Sequence, residues 1–431
     1  MTIHLFHLFT AILILTGLSR SQDFENSSVT SVPELEFYPG VFTGLDVLQE
    51  MQFKPLSGLN LAILTNQTSV NREGIHLLDL LASRGEEIQV EVIFTPQHGF
   101  LANATQEVTV AEAGYESFHG APVRRLWGGE MRPKINDLAK VDLILVDFQD
   151  PGTRFFSFMT TATKVMEIAA FLDIAVMVLD RPNPMNGIVI DGPIVRSQYQ
   201  SYLGYHLVPI RHGLTVGEYS IMINESGWIR QGDRVALNVV PMVNWKREMW
   251  MDETGIPWVH VATNIPDLTT LLAYMGMGLI EGTNLSCGVG TDSPYLLVGA
   301  PWIREKIIVE SLRRKGLEGV EFSPAVFNPD SLSTIVSRPR YRGEKCGGVR
   351  ILITDREKFS PILTAATILS VVSAHYPRRF RWEDEAYVDK LYGHDYLRIF
   401  LAQERDPFKL PATWSHDVMK FSQFRKKFLL Y

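Results

Sequence analysis

The chain has 431 residues, of which 46% are hydrophobic and 21% charged, a composition typical of globular proteins. Its length favours two or three domains over a single core. The net charge of −7 argues against a nucleic-acid partner, because such proteins normally present a basic face.

The first residues have the features of a secretory signal peptide. Residues 5–18 are almost wholly apolar, and Ser19-Arg20-Ser21 places small residues where signal peptidase cleaves. We therefore expect a signal peptide over residues 1–21, a loose leader over 22–40, and a secreted, extracellular mature protein. An uncleaved signal anchor is the alternative, since no Lys or Arg precedes the apolar run. No later apolar run reaches 18 residues, so we expect no stable membrane span.

Secretion would also permit glycosylation and a disulfide. We expect a glycoprotein on the basis of five Asn-X-Ser/Thr sequons, although those at Asn66 and Asn284 fall in predicted site motifs and are expected to be chance matches. Whether Cys287 and Cys346 pair is left open by the sequence. The complete set of sequons is Asn26, Asn66, Asn103, Asn224 and Asn284.

Four apolar segments that resemble buried strands each run into a polar motif. In chain order, strands 59–64, 90–94, 141–146 and 175–179 precede motifs 65–68, 95–99, 147–154 and 180–184. Helices are predicted at 42–48, 75–81 and 156–172. This alternation predicts an α/β fold with a Rossmann-like, doubly wound parallel sheet. Ligands bind outside the carboxyl ends of such strands, so the motifs predict one polar site.

The next segments complete this sheet and begin a second domain. Thr215 and Glu218 form a capping-box pattern, so Glu218 has a structural role available besides a catalytic one. A strand is predicted at 235–241. The second half should be a smaller mixed α/β domain, with helices at 301–315 and 362–374 and a strand at 349–354. We expect a Rossmann-like catalytic domain over 41–235 and a C-terminal domain over 236–431 that closes the cleft.

Several familiar motifs are missing. The chain has no Gly-X-Gly-X-X-Gly after the first strand, no phosphate-binding loop, no Gly-X-Ser-X-Gly and no His-Glu-X-X-His. We therefore expect no cofactor and no metal, although His98 and His212 could still ligate a metal if the fold brings them together. What remains is a cleft of carboxylates, arginines and amides, with tryptophans nearby, which suits a sugar. Glycoside hydrolysis commonly needs two carboxylates, and the candidates are Asp150, Asp180, Glu218 and Glu281.

At these motifs the chain resembles the NamZ/YbbC-type exo-β-N-acetylmuramidases. The runs that carry the resemblance are Leu-Thr-Asn-Gln-Thr (64–68), Phe-Gln-Asp-Pro-Gly-Thr-Arg-Phe (148–155), Leu-Asp-Arg-Pro-Asn-Pro (179–184), Arg-His-Gly-Leu-Thr-Val-Gly-Glu (211–218), Glu-Gly-Thr-Asn (281–284), Gly-Ala-Pro-Trp-Ile (299–303) and Cys-Gly-Gly-Val (346–349). The resemblance implies a Rossmann-like domain, a smaller α/β domain and a cleft between them. It also implies an exo-acting glycoside hydrolase that removes terminal N-acetylmuramic acid from peptidoglycan fragments.

The resemblance assigns candidate roles to individual residues. Candidates for catalysis are Asp150, Glu281, Glu218, His98 and Gln97. Candidates for substrate binding are Asn66, Arg154, Asp180, Arg181, Asn183, Arg211, His212 and Asn284. N-acetylmuramic acid bears a lactyl carboxylate, so an arginine among them could bind it with two hydrogen bonds.

Three departures from the family pattern lie near the predicted site. Gln97 stands where many members carry a Glu, and an amide cannot act as a general acid. The run 286–291 lacks a Glu and an Arg, and residues 101–107 also differ. Two hypotheses follow: an active glycoside hydrolase, or an impaired homologue that binds muropeptides or other amino sugars without turnover.

Overall fold

The computed structural model describes residues 28–30, 40–97, 99, 117–118, 120–128, 131–330, 339–403 and 405–431. The predicted signal peptide, most of the leader and His98 lie outside these residues. Within the described ranges, no helix is both long enough and apolar enough to cross a membrane.

The larger sheet follows the Rossmann strand order. Its described strands are β1 (Ser28–Val29), β2 (Asn60–Thr65), β3 (Gln89–Thr95), β4 (Ser117–Phe118), β5 (Ala121–Arg125), β6 (Leu143–Asp147), β7 (Ala175–Leu179) and β8 (Leu237–Val240). They are arranged β1-β8-β7-β6-β2-β3-β5-β4, and only β4 pairs antiparallel. Taken in chain order, β2, β3, β5, β6, β7 and β8 give the 3-2-1-4-5-6 order of doubly wound sheets. The predicted α/β class is confirmed.

Alternate side chains along each strand pack against helices on opposite faces of the sheet. Leu61 and Ile63 of β2 pack with helices α1 (Gly44–Glu50) and α2 (Leu77–Ala82), whereas Ala62 and Leu64 face the opposite core. That second core includes α3 (Phe158–Leu172) and α4 (Val216–Glu225). Because successive side chains of a strand point to opposite faces, a strand covered on both sides is apolar throughout.

The order of the strands reverses between β2 and β6. These two strands are adjacent and parallel, and Thr65 pairs with Asp147 at their carboxyl ends. The connections after β2 and β6 lead to helices on opposite faces of the sheet, so a crevice opens between the two strand ends. The switch point therefore lies between two of the four predicted polar motifs.

The second part of the chain forms a smaller antiparallel sheet with helices. Its strands β9 (Leu297–Ala300), β10 (Val320–Phe327) and β11 (Cys346–Ile353) are ordered β10-β11-β9. The helices are α5 (Leu268–Met277), α6 (Glu305–Arg313), α7 (Pro361–His375), α8 (Glu385–Tyr392), α9 (Tyr396–Ala402) and α10 (Pro411–Arg425). Strand β8 belongs to the first sheet, so that sheet continues beyond the predicted boundary at residue 235. Cys287 and Cys346 are buried free thiols.

The last residues of the chain pack back onto the loop before α4. The guanidinium of Arg425 donates from Nη1 to the carbonyls of His212 at 3.0 Å and Gly213 at 2.6 Å, and from Nη2 to that of Ile188 at 3.2 Å. The backbone N–H of Leu430 donates to Glu218 at 3.0 Å. The C-terminal segment therefore fixes the loop that carries His212.

We expect Arg425→Met to lower the free energy of unfolding by about 2–4 kcal/mol, because buried carbonyls would lose their donor. Urea denaturation measures this loss. Lys420→Met, at an exposed position of the same helix, is the matched control and should stay within about 0.5 kcal/mol of the parent protein. Equal losses in the two variants would contradict the anchoring role.

Candidate active site

The four polar motifs lie at one edge of the larger sheet. They follow the adjacent strands β3, β2, β6 and β7, which all run in the same direction. A hydrogen bond links two of these loops directly. Asn66 Oδ1 accepts from the backbone N–H of Thr68 at 3.0 Å, and Thr68 Oγ1 accepts from the backbone N–H of Gln149 at 2.8 Å. The loops after β2 and β6 thus meet across the switch point.

Asp150 and His212 face each other beside this crossing. His212 Nε2 lies 3.8 Å from Asp150 Oδ2, and both side chains are buried. The backbone N–H of Gly152 donates to Asp150 Oδ2 at 2.8 Å, and that of Leu214 donates to His212 Nδ1 at 3.2 Å. Since Nδ1 accepts, a neutral His212 carries its proton on Nε2.

Burial sets the protonation of this pair. Desolvation raises the pKa of Asp150 to about 7, and the Gly152 N–H opposes the rise. Desolvation lowers the pKa of His212 to about 3, with help from the charges of Arg425 and Arg154. Near neutral pH, Asp150 is therefore partly protonated and His212 is neutral. Both can then donate a hydrogen bond to a ligand oxygen.

Several buried polar atoms at this edge have no hydrogen-bond partner among the described residues. They are Asn66 Nδ2, Gln149 Oε1, Asp150 Oδ1, Thr153 Oγ1 and His212 Nε2. Buried polar groups are normally satisfied, so each exception needs an explanation. A cluster of exceptions with both donors and acceptors, at the switch point of a doubly wound sheet, is what a bound polar ligand would satisfy.

Asp180 is fully engaged by the protein. Its oxygens accept from the backbone N–H groups of Arg181 at 2.9 Å and Gly217 at 2.7 Å, and from the hydroxyls of Thr215 at 2.8 Å and Tyr431 at 2.7 Å. Desolvation, with the charge of Glu218, raises the pKa of this carboxyl to about 7. The contacts give Asp180 the role of joining β7, α4 and the C-terminal segment.

Glu218 is likewise engaged. It accepts from the backbone N–H of Thr215 at 3.1 Å, which closes the predicted capping box, and from Arg247 Nη1 at 2.5 Å. The capping interpretation is confirmed.

Glu281 lies in the second domain, where Tyr295 and Tyr387 donate to it at 2.8 and 2.9 Å and burial raises its pKa. The ring of Tyr274 packs against both Tyr295 and Phe155, so aromatic rings lie between Glu281 and the loop after β6.

The three predicted binding arginines are held by protein groups. Arg181 forms a two-point ion pair with Asp147, with Nε–Oδ1 at 2.5 Å and Nη2–Oδ2 at 2.8 Å. Arg154 donates to the carbonyls of Pro193, Val208 and Leu391 at 2.6–3.0 Å, and burial lowers its pKa to about 9. Arg211 donates to the Met185 carbonyl and lies over the Trp250 ring.

The predicted amides differ in their surroundings. Asn183 is bonded to the Leu214 carbonyl and the Met185 N–H, and Asn284 to the backbone of Arg379 and Arg381. The structure therefore does not bring Asn284 to the switch point. Gln97 is half-buried after β3, and its Oε1 accepts from Ser157 Oγ at 3.0 Å.

The sequons and tryptophans also have defined environments. Asn66 and Asn224 are buried, so a glycan on either is incompatible with this fold. Trp245 and Trp250 belong to apolar cores and present no free ring face for a sugar. Trp258 is half-buried in the loop whose His260 carbonyl accepts from Gln67 at 2.7 Å.

Sequence reasoning overlooked Gln149, Thr153 and Tyr219. Gln149 and Thr153 lie inside the run 148–155, on either side of Asp150, and this position beside Asp150 was the available signal. Tyr219 packs its ring 4.9 Å from that of His212, a contact created by α4 that no local pattern predicts. Among the described residues, no group of three or more His, Cys, Asp or Glu side chains could hold a metal ion.

Comparisons with known proteins cover almost the whole chain. The family described as "Exo-beta-N-acetylmuramidase NamZ, N-terminal" matches residues 61–269, and its C-terminal counterpart matches 272–431. A peptidoglycan beta-N-acetylmuramidase NamZ of Bacillus subtilis (strain 168) is 33% identical over 417 residues, which are 97% of this chain and 96% of that protein.

Two crystal structures of Bacteroides fragilis NCTC 9343 proteins share the fold. The DUF1343 family protein BF0371 has a TM-score of 0.82 and 29% identity, covering 92% of this chain and 100% of that one. BF0379 has a TM-score of 0.72 and 26% identity, covering 91% and 99%. With both family domains matched in order, the chain belongs to the NamZ family of exo-β-N-acetylmuramidases, which are peptidoglycan hydrolases.

Proposed function

We propose that this protein is a secreted, exo-acting glycoside hydrolase that releases terminal N-acetylmuramic acid from peptidoglycan fragments. The observation that carries the proposal is the buried Asp150–His212 pair among unpartnered polar atoms at the switch point. A carboxyl, an imidazole N–H and two amides suit the hydroxyls, glycosidic oxygen and acetamido group of an amino sugar.

Asp150 serves as the general acid. Its Oδ1 is free of protein partners among the described residues, whereas Asp180, Glu218 and Glu281 each have both oxygens bonded. A carboxyl with a pKa of about 7 is partly protonated near neutrality, and its protonated form can pass the proton to the leaving oxygen. His212 donates Nε2–H to the same sugar and holds it against Asp150.

The substrate's own 2-acetamido group assists at the anomeric carbon. Its carbonyl oxygen bonds to that carbon while the glycosidic bond breaks and the leaving oxygen takes the Asp150 proton. Water then opens the cyclic intermediate, and the Asp150 carboxylate accepts a proton from that water. Because each displacement inverts the anomeric carbon, the released sugar keeps its β configuration.

We expect Asp150→Asn to lower kcat/KM for a β-N-acetylmuraminide by about 10²–10⁴-fold, because the amide has no proton to transfer. The amide can still donate a hydrogen bond, so calorimetry should show that the variant binds free N-acetylmuramic acid. In the parent protein, kcat/KM should be constant at acid pH and fall by about tenfold per pH unit above about pH 7, as Asp150 loses its proton.

Asp191→Asn is the matched control, because this half-buried carboxyl also has a raised pKa but bonds Gly192 and Trp414. It should lower kcat/KM by less than about tenfold. NMR of the first product should show the β anomer. Unchanged kcat/KM in Asp150→Asn would refute the assignment, and an initial α product would refute the acetamido step.

Gln97 supports a second candidate, an impaired homologue that binds muropeptides without turnover. The side chain is half-buried at the same sheet edge, where the family resemblance implies an acid, and it accepts from Ser157. A Glu there could accept the same hydrogen bond, so the substitution is nearly isosteric.

Gln97→Glu distinguishes the two candidates. If Asp150 is the acid, we expect kcat/KM to change by less than about tenfold; an impaired protein should gain about 10²–10⁴-fold. Gln49→Glu is the control, since its amide oxygen also accepts one hydrogen bond, from Asn71, outside the site. A large gain from a parent that binds but does not cleave would establish the second candidate.

Secretion is part of the proposal because of the apolar segment at residues 5–18. After expression in eukaryotic cells, we expect the protein in the medium with Gln22 as its first residue, as read by mass spectrometry. Retention in the cells with residues 1–21 still attached would count against secretion.

A further inference from the structure

A cavity of about 490 Å³ lies against the flank of α3, apart from the strand ends. Its lining includes Thr160, Lys164, Tyr202, Tyr205, His206 and Trp228. This volume is within the range of small-ligand sites, and it is large enough for a single substituted sugar. The aromatic side chains and one buried cation make the lining amphipathic, as expected for a saccharide with a charged group.

Lys164 lines this cavity, and two arginines lie close to it. Lys164, which is 9% exposed, contacts Glu167 at 3.2 Å and also donates to the hydroxyl of Tyr205. Arg132, with a side chain 40% exposed, contacts the same carboxylate at 3.0 Å. Desolvation lowers the pKa of Lys164; Glu167 opposes this shift, and the charges of Arg132 and Arg230 add to it. Two cations, Lys164 and Arg132, therefore share the Glu167 carboxylate, in a protein whose net charge is −7.

The first turns of α3 connect the cavity to the candidate active site. Ser157, at the N-cap, donates to Gln97 at 3.0 Å. One turn later, Thr161 Oγ1 lies 2.6 Å from the hydroxyl of Tyr202, which lines the cavity. A chain-like substrate with one unit at the strand ends could therefore place a unit further along the chain beside α3.

We propose that this cavity binds a carboxylate-bearing, N-acetylated sugar of the part of the substrate that remains after cleavage, with Lys164 and Arg132 contacting its carboxylate. The inference rests on the proposed function for its substrate class. Peptidoglycan repeats N-acetylmuramic acid at every second sugar, so the second sugar of the remaining chain presents a lactyl carboxylate wherever no stem peptide is attached to it. A charge-assisted hydrogen bond in this sheltered position favours the acid over its neutral amide.

Calorimetry with the disaccharide N-acetylglucosaminyl–N-acetylmuramic acid tests the proposal without requiring turnover. We expect Lys164→Met and Arg132→Gln each to raise its Kd by about tenfold, the effect of losing one charged hydrogen bond. Lys140→Met, at an exposed position outside the cavity, should leave Kd unchanged. The same disaccharide with its lactyl carboxylate amidated should bind the parent protein about tenfold more weakly.

Thermal melting of each variant controls for folding, and the partly exposed Arg132 provides the test if Lys164→Met fails to fold. No binding of the disaccharide, or equal Kd values in all variants, overturns the proposal. Tighter binding of a sugar-free stem peptide, dependent on Lys164, also overturns it and assigns the cavity to peptide. Binding that depends on Lys164 in a protein that cleaves nothing would refute the proposed function and still support this cavity as a binding site for a carboxylate-bearing sugar.

Discussion

The buried ion pair between Asp147 and Arg181 organises the edge of the sheet where the candidate site lies. It joins the end of β6 to the loop after β7, and the same guanidinium reaches the Val70 carbonyl in the loop after β2. Both side chains are at most 1% exposed. Removing one partner of such a pair typically costs about 3–5 kcal/mol, because the other charge stays buried without compensation. Three loops therefore depend on one pair for their relative positions.

Most buried polar groups around this pair have hydrogen-bond partners, so the buried groups that lack them are informative. Asp147 is paired with Arg181 and stabilises the fold. Asp150, three residues later, accepts one hydrogen bond from the described residues, from the backbone N–H of Gly152. Burial without a counter-charge is what raises the pKa of Asp150 and makes it suitable for proton transfer. The same comparison assigns Asp180 and Glu218 to structure, since each bonds several donors.

Much of the fold was predictable, because it depends on local patterns. Predicted strand 175–179 coincides with β7, and predicted helix 156–172 contains α3, since buried strands and amphipathic helices leave clear periodicities. The capping box of α4 was equally visible. Strand β5 and helices α8–α10 were overlooked because the residues that cover their apolar faces are distant in sequence. The candidate site was predicted as a set of motifs, without the partners that distinguish its members.

The sequence by itself determined the α/β class, the four motifs at the strand ends and the family resemblance, because each depends on residues close together in the chain. Tertiary structure decided which polar residues remain available to a ligand. Arg181, Asp180 and Glu218 obtain their partners from Asp147, Tyr431 and Arg247, which are 34, 251 and 29 positions away. Only the folded chain brings such partners into range, and pairing decides whether a buried charge supports the fold or, like Asp150, remains open to chemistry.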